Sequence, residues 1–368
     1  LLNGNITSGK EELFPIEGGE FLLYSLVFVI GILSSMAGVG GGGILTPLFY
    51  LVGNYNLHYA IPLSIISIMG NSLIRFFLLV NKKHILDNTI PLIDYGVLTQ
   101  MIPFDSAGSY LGVFLNSIVE ETTLKYLIIS FFSLITIKTF HKTYKVYKKE
   151  EKMKNEDNIV YIDGICVPLL RDNLNTEIIQ TDRINIKMII LSIFLYLCGF
   201  AGLGVWKIYN KEWYVGFIQF LYCLCAGGVS IYINNVNKYS PNLKNNLKNS
   251  LIFATASFGV GTISTMMGIG GGMVFSVILL QLKLTPEIVM ATNSVSTLTS
   301  SISSTLQYVS SNRLLIQIGG FSFLISCASA YIGLTSYQKF KKKFNRQSLI
   351  VLLLAILMVI SVIMISLK

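Results

Sequence analysis

Twelve apolar stretches dominate this chain, at about 21–37, 43–53, 58–80, 91–115, 124–141, 186–205, 213–234, 250–267, 272–282, 288–309, 315–337 and 348–367. A helix that crosses a bilayer needs roughly 20 apolar residues, and ten of the stretches are long enough. The remaining two, 43–53 and 272–282, hold 11 residues each, or about 16 Å of helix, half a bilayer. Composition agrees, with 52% hydrophobic residues, 13% charged residues and a mean hydropathy of +0.63; soluble domains run near a quarter charged. The expected fold is all-α, a polytopic membrane protein with about 10 full spans plus 2 short half-helices. That excludes a secreted disulfide scaffold, a nucleic-acid-binding domain and an ordinary cytosolic enzyme.

Cysteine and histidine point to no cofactor. Cys166 lies in a polar loop, and Cys198, Cys223, Cys225 and Cys327 lie in apolar stretches. Cys223 and Cys225 are two apart and face different sides of a helix, so they read as packing residues. His58, His84 and His141 share no metal-ligand spacing. The expected partners are the lipid bilayer and a small anionic substrate, with no nucleic acid.

The chain repeats itself. Residues 31–43, GILSSMAGVGGGG, align without a gap on 261–273, GTISTMMGIGGGM, with seven of 13 positions identical. In each half a short apolar arm follows, then a helix rich in small and hydroxyl residues. A later segment ends Ala107-Gly108-Ser109-Tyr110-Leu111-Gly112 in one half and Ala328-Ser329-Ala330-Tyr331-Ile332-Gly333 in the other.

Charge sets how the halves face. The net charge is +9, and in a membrane protein Lys and Arg report topology first. Lys142, Lys145, Lys148, Lys149, Lys152 and Lys154 belong inside by that rule, which puts Glu120-Glu121 outside and Lys82-Lys83 inside. The second-half loop matching Glu120-Glu121 carries Lys339, Lys341, Lys342, Lys343 and Arg346, and so belongs inside. Equivalent loops on opposite sides make two inverted repeats, an architecture common among transporters. The parity closes if each glycine motif turns a helix into a short return arm, a glycine-broken helical hairpin. The expected order is an extracytoplasmic segment 1–20, a first transmembrane repeat 21–141, a cytoplasmic polar loop 142–185, two linking helices in 186–249 and a second repeat 250–368. The sequon Asn5-Ile6-Thr7 then falls outside. Within the polar loop, residues 158–167 read as a small hairpin turning at Asp163-Gly164.

Gly38, Gly40 and Gly43 formally spell a dinucleotide fingerprint, but that motif needs a preceding strand and an acid about 20 residues on. Here an apolar helix precedes it and Asp87 is the next acid. Close helix packing is the plain alternative, since small residues let membrane helices approach. The functional reading starts from unwound backbone, which survives at membrane depth only where it is buried or lines a cavity. Glycine reaches the required φ > 0 conformations and exposes its N–H groups. The short arms begin just after the glycines, so their N-termini, with unpaired N–H groups and partial positive charge, point at the loops. Inversion would bring two such ends together near the midplane. The expected site is an oxyanion cradle made mostly of backbone, at Gly38, Gly40, Gly41 and Gly42 and at Gly268, Gly270, Gly271 and Gly272.

The two G-x-G-G-G copies, each at the end of an apolar helix and followed by a short arm, resemble the TauE/SafE family of sulfite and sulfonate exporters. The later helix beginning Ala291-Thr292-Asn293-Ser294 also resembles that family's pattern. The resemblance covers roughly 21–140 and 250–367, with 142–234 outside its clearest part. It implies a multi-pass transporter moving sulfite, sulfonates or related organosulfur anions across the plasma membrane. Asn293 and Ser294, which open the helix after the second loop, are expected ligands. The first-half counterpart, Ala60-Ile61-Pro62-Leu63-Ser64, keeps only Ser64.

Ser34, Ser35, Ser264 and Thr265 lie beside the glycines, and most such hydroxyls read as helix–helix hydrogen bonds. Asp94, Lys125 and Lys138 are near enough to span ends to snorkel, and Arg75, about two turns before Lys82, is expected to do the same. Asp105 sits mid-span in Pro103-Phe104-Asp105-Ser106, where an ionised group costs about 2.5–3.5 kcal/mol. It is the candidate for proton coupling, against a neutral Asp bonded to a neighbouring helix. With no metal spacing and no nucleophile–base pair, the chain does not read as an enzyme. The expected function is a secondary transporter of a sulfur oxyanion or organosulfonate. The alternative is a membrane scaffold or assembly subunit that keeps the fold without transport.

Overall fold

The computed structural model describes residues 18–36, 38, 41–83, 91–154, 159–162, 165–168, 196, 199–200, 202, 204, 213–237, 247–281, 286–344 and 348–367. Gly40, Arg346, the sequon at Asn5 and most of 169–212 lie outside them. In chain order the elements are α1 (Gly18–Met36), α2 (Gly42–Leu51), α3 (Leu57–Leu79), α4 (Tyr95–Ile118), α5 (Glu121–Lys154), β1 (Ile159–Ile162), β2 (Ile165–Pro168), α6 (Trp213–Asn237), α7 (Leu247–Met267), α8 (Gly272–Gln281), α9 (Pro286–Ser310), α10 (Ile316–Phe344) and α11 (Ser348–Ser366).

The protein is a multi-pass, nearly all-helical membrane protein. Among the described residues six helices are long and apolar enough to cross a bilayer: α1, α3, the first part of α5, α6, α7 and α10. Helices α4 and α9 are as long, at 24 and 25 residues, but carry polar rows. Those rows are buried, with Gln100, Asp105, Ser106, Ser109 and Asn116 on α4 and a run from Thr292 to Thr297 on α9. Polar residues at membrane depth face the bundle interior, so these two helices belong to its centre. The outer helices α5 and α6 instead turn Tyr126, Leu134, Ile137, Phe217 and Tyr232 outward. The short ribbon read from the polar loop is present, with Ile159 paired to Pro168 and Ile162 to Ile165.

Packing crosses between the two halves. Helix α4 lies along α7, and α10 lies along α1 and α3. The crossings match residue by residue. A Cβ on Gly112 of α4 would stand 2.5 Å from the Thr262 carbonyl and 3.0 Å from Thr265 Cβ, whereas one on Gly333 of α10 would stand 2.5 Å from the Ile32 carbonyl and 2.8 Å from Ser35 Cβ. Ile32 and Ser35 are the residues that align with Thr262 and Thr265 in the repeat. Helices α3 and α9 meet at the centre and run antiparallel: Arg75 near the end of α3 reaches Met290 near the start of α9, while His58 at the start of α3 faces Arg313 just past the end of α9.

The glycines at these crossings hold the backbones together, so enlarging them should separate the helices. Gly108→Val would drive its side chain against the Phe258 carbonyl, 2.1 Å from the first added carbon. Overpacking of this kind costs about 1–3 kcal/mol or more. Gly259→Ala and Gly320→Ala have nothing within 4 Å and should fold normally. Thermal unfolding of purified protein checks this; equal midpoints for Gly108→Val and Gly320→Ala would contradict the packing.

Candidate functional site

Both glycine motifs break their helices in the same way. Helix α1 ends where Gly38 takes φ 77°, and α7 ends where Gly268 takes φ 73°. At the second end the Ile269 N–H donates to the Ser264 carbonyl at 2.8 Å, the six-to-one bond of a Schellman cap, which a left-handed glycine permits. A second left-handed turn then starts each arm, at Gly41 (φ 84°) and at Gly270 and Gly271 (φ 66° and 51°). The carbonyls of Gly41 and Gly271 take the first helical bonds of α2 and α8, from Leu45 at 3.2 Å and Phe275 at 2.9 Å. The first N–H groups of each arm have no partner within the helix.

The starts of the two arms meet. A Cβ on Gly42 would lie 1.9 Å from the Ile269 carbonyl, and one on Gly43 would lie 2.4 Å from the Met273 side chain. No residue larger than glycine fits at Gly42 without moving the opposite loop. Two helix N-termini thus converge in one buried place between α3 and α9, each contributing partial positive charge.

Polar side chains hold the loops, and they do so across the halves. The hydroxyls of Thr46 on α2 and Ser64 on α3 both lie 2.9 Å from the Gly268 carbonyl of the second loop. Thr46 also lies 2.8 Å from Ser64 Oγ. In return, Asn293 on α9 donates through Nδ2 to the Gly38 carbonyl of the first loop at 3.3 Å and to Gly272 at 2.9 Å. Ser294 turns away from this exchange and donates to Ala291 of its own helix at 2.6 Å. Of the side chains predicted from sequence, Ser64 and Asn293 therefore touch the loops, and Gly40 lies outside the described residues.

Two residues at the site escaped the sequence reading. Thr46 was visible as a hydroxyl in the first arm that aligns with Ser276 in the second. Arg75 was read as snorkelling, and the structure corrects this: it is fully buried, at 0% exposure. Its NH2 group donates to the Gly38 carbonyl at 2.6 Å and to Met290 at 3.3 Å, while Nε and NH1 have no acceptor. Glycine at the loop lets the guanidinium reach inward to a carbonyl instead of outward to the membrane surface.

Asp105 is set apart from the loops and linked to the second one by a single residue. It is 2% exposed. Its carbonyl lies against Gly261 on α7. Its polar neighbour is Ser300 on α9, whose hydroxyl lies 3.5 Å from where a Cβ on Gly271 would stand. The Gln100 amide, one and a half turns earlier on α4, is also buried without partners. Among the described residues no cluster of three or more His, Cys, Asp and Glu could hold a metal ion.

The chain matches the family model described as Sulfite exporter TauE/SafE over residues 19–165 and 178–362. The match runs through 186–249, well beyond the two halves in which the glycine motifs stand. Two similar proteins come from Arabidopsis thaliana. Sulfite exporter TauE/SafE family protein 2 is 24% identical over 371 residues, covering 93% of this chain and 81% of that one. Sulfite exporter TauE/SafE family protein 5 is 25% identical over 378 residues, with the same shares. No solved structure matches the chain.

The crossed contacts rank the α9 side chains. Asn293→Leu removes the donor to two loop carbonyls, while Ser294→Ala removes only a bond within one helix. With interhelical hydrogen bonds worth about 0.6 kcal/mol each in membranes, Asn293→Leu should lower the thermal midpoint clearly and Ser294→Ala barely. The reverse order in detergent-solubilised protein would contradict these contacts.

Proposed function

Because the chain belongs to the sulfite exporter TauE/SafE family, we propose that it is a secondary transporter carrying a sulfur oxyanion or organosulfonate across a membrane, the plasma membrane in particular. The observation that carries this reading is the meeting of two half-helix N-termini at paired left-handed glycine loops. Such ends present unpaired N–H groups and partial positive charge, which suit an anion. An oxyanion seated there would accept from backbone N–H groups of Gly41 and Gly42 on one side and Gly271 on the other, the Gly272 N–H being given to the Gly270 carbonyl.

Antiparallel α3 and α9, and the matched contacts of Gly112 and Gly333, support two inverted repeats, 21–141 and 250–368, wound into each other. In such folds the substrate lies at the repeat interface, and one unit rocks against the other. The loop carbonyls held by Thr46, Ser64, Asn293 and Arg75 fix both loops in the arrangement described here. Alternating access would exchange these side-chain bonds as the repeats move.

Asp105 supplies the coupling in this reading. An ionised carboxylate costs about 2.5–3.5 kcal/mol at the membrane centre, which marks a buried acid there as a candidate proton carrier. Ser300 connects it to the second loop, which would tie that proton to the anion.

The test is flux of radiolabelled sulfite and methanesulfonate into proteoliposomes under an imposed proton gradient. Wild-type protein should accumulate at least one of them. Asp105→Asn should abolish accumulation driven by the gradient while leaving anion binding largely intact. Absence of flux for every sulfur anion, in correctly folded protein, would favour the scaffold role; normal proton-driven flux in Asp105→Asn would remove Asp105 from the coupling.

A further inference from the structure

We infer that Arg75 is the counter-charge for the bound anion, and that the site is lopsided, with its full positive charge at the first loop only. The inference rests on the transport reading and adds to it a specific ligand and a direction.

Among the described residues Arg75 is the largest fully buried side chain. A buried cation is costly unless it is paired with an opposite charge or its hydrogen bonds are met. Arg75 meets only part of that need. NH2 is committed to the Gly38 and Met290 carbonyls, two neutral acceptors, and Nε and NH1 remain without any. In the planar guanidinium Nε–H and the NH1 hydrogens point to different sides, so each is a single unmet donor able to meet an oxygen of an anion beside it. The bond from NH2 to Gly38 ties the guanidinium to the first glycine loop. A fully buried cation with two unmet nitrogens therefore lies beside the glycine loop that leads into a half-helix N-terminus.

Among the described residues the second loop has no equivalent cation. Its Gly268 carbonyl is held by the hydroxyls of Thr46 and Ser64, and its carboxylate neighbour, Asp105, is placed through Ser300. Charge thus runs from a cation at the first loop to an acid beyond the second.

The experiment compares wild type, Arg75→Lys and Arg75→Gln, purified and monodisperse, for equilibrium binding of sulfite and methanesulfonate by titration calorimetry. Hydrogen bonds to charged groups contribute about 1.5–3 kcal/mol, so Arg75→Gln should weaken binding roughly 10–100-fold. Arg75→Lys, which keeps the charge and loses the spread of N–H donors, should fall between. Affinity in Arg75→Gln within about twofold of wild type would overturn the inference, as twofold is well under 1 kcal/mol. Equal losses in Lys and Gln would also overturn it, because Arg75 would then act only by holding Gly38. If Arg75→Gln does not fold, Arg75→Lys decides, with unchanged affinity as the overturning result. Wild-type protein that binds neither anion would defeat the transport reading itself, and this inference with it.

Discussion

A polypeptide that unwinds inside a membrane must find a partner for every backbone group it frees, because lipid supplies none. Here two helices unwind near the same place, and each loop draws at least one partner from the opposite half. Ser64 and Thr46 serve Gly268, and Asn293, with Arg75, serves Gly38. Each loop would lose side-chain bonds in an isolated half. The exchange makes the halves interdependent, and it places the free ends of α2 and α8 against each other. Everything proposed about the site follows from that arrangement.

The small residues in the long helices act in support. Gly108, Gly112 and Gly333 bring α4 and α10 within backbone contact of α7 and α1. There is no hydrophobic driving force between helices within lipid, so close contact is what stabilises such pairs. The same closeness leaves the polar rows of α4 and α9 buried, which is where Asp105 and the loop-holding residues lie. Packing and function therefore draw on one feature, the small residues that a single alignment of the two halves brings out.

The glycine turns and the short arms were legible in the sequence because they are local: four small residues at the end of an apolar run, twice, followed by half the length needed to span. Ser64 and Asn293 were legible as positions, but not their partners, since the carbonyls they hold lie 204 and 255 residues away. Arg75 misled for a physical reason. Two turns from Lys82, its long side chain could reach the surface or the loop, and only the path of α1 and α9 decides between them. Ser294 shows the opposite failure: a hydroxyl beside the loop helix that turns back to its own carbonyl at Ala291. The extent of the family match across the linking region, too, exceeds what the glycine motifs alone mark out.

If the two loops form one site, neither is dispensable. The most direct measurement is the affinity of sulfite for purified Gly41→Ala, Gly271→Ala and the double variant. Each alanine would occupy a left-handed position, at φ 84° and 51°, at a strain of about 1–3 kcal/mol, which would shift the N–H groups that begin α2 or α8. The account predicts weaker binding in both single variants, comparable in size, with a double variant no worse than their product. Unchanged affinity in both, in protein that still folds, would contradict a site built from the two glycine loops.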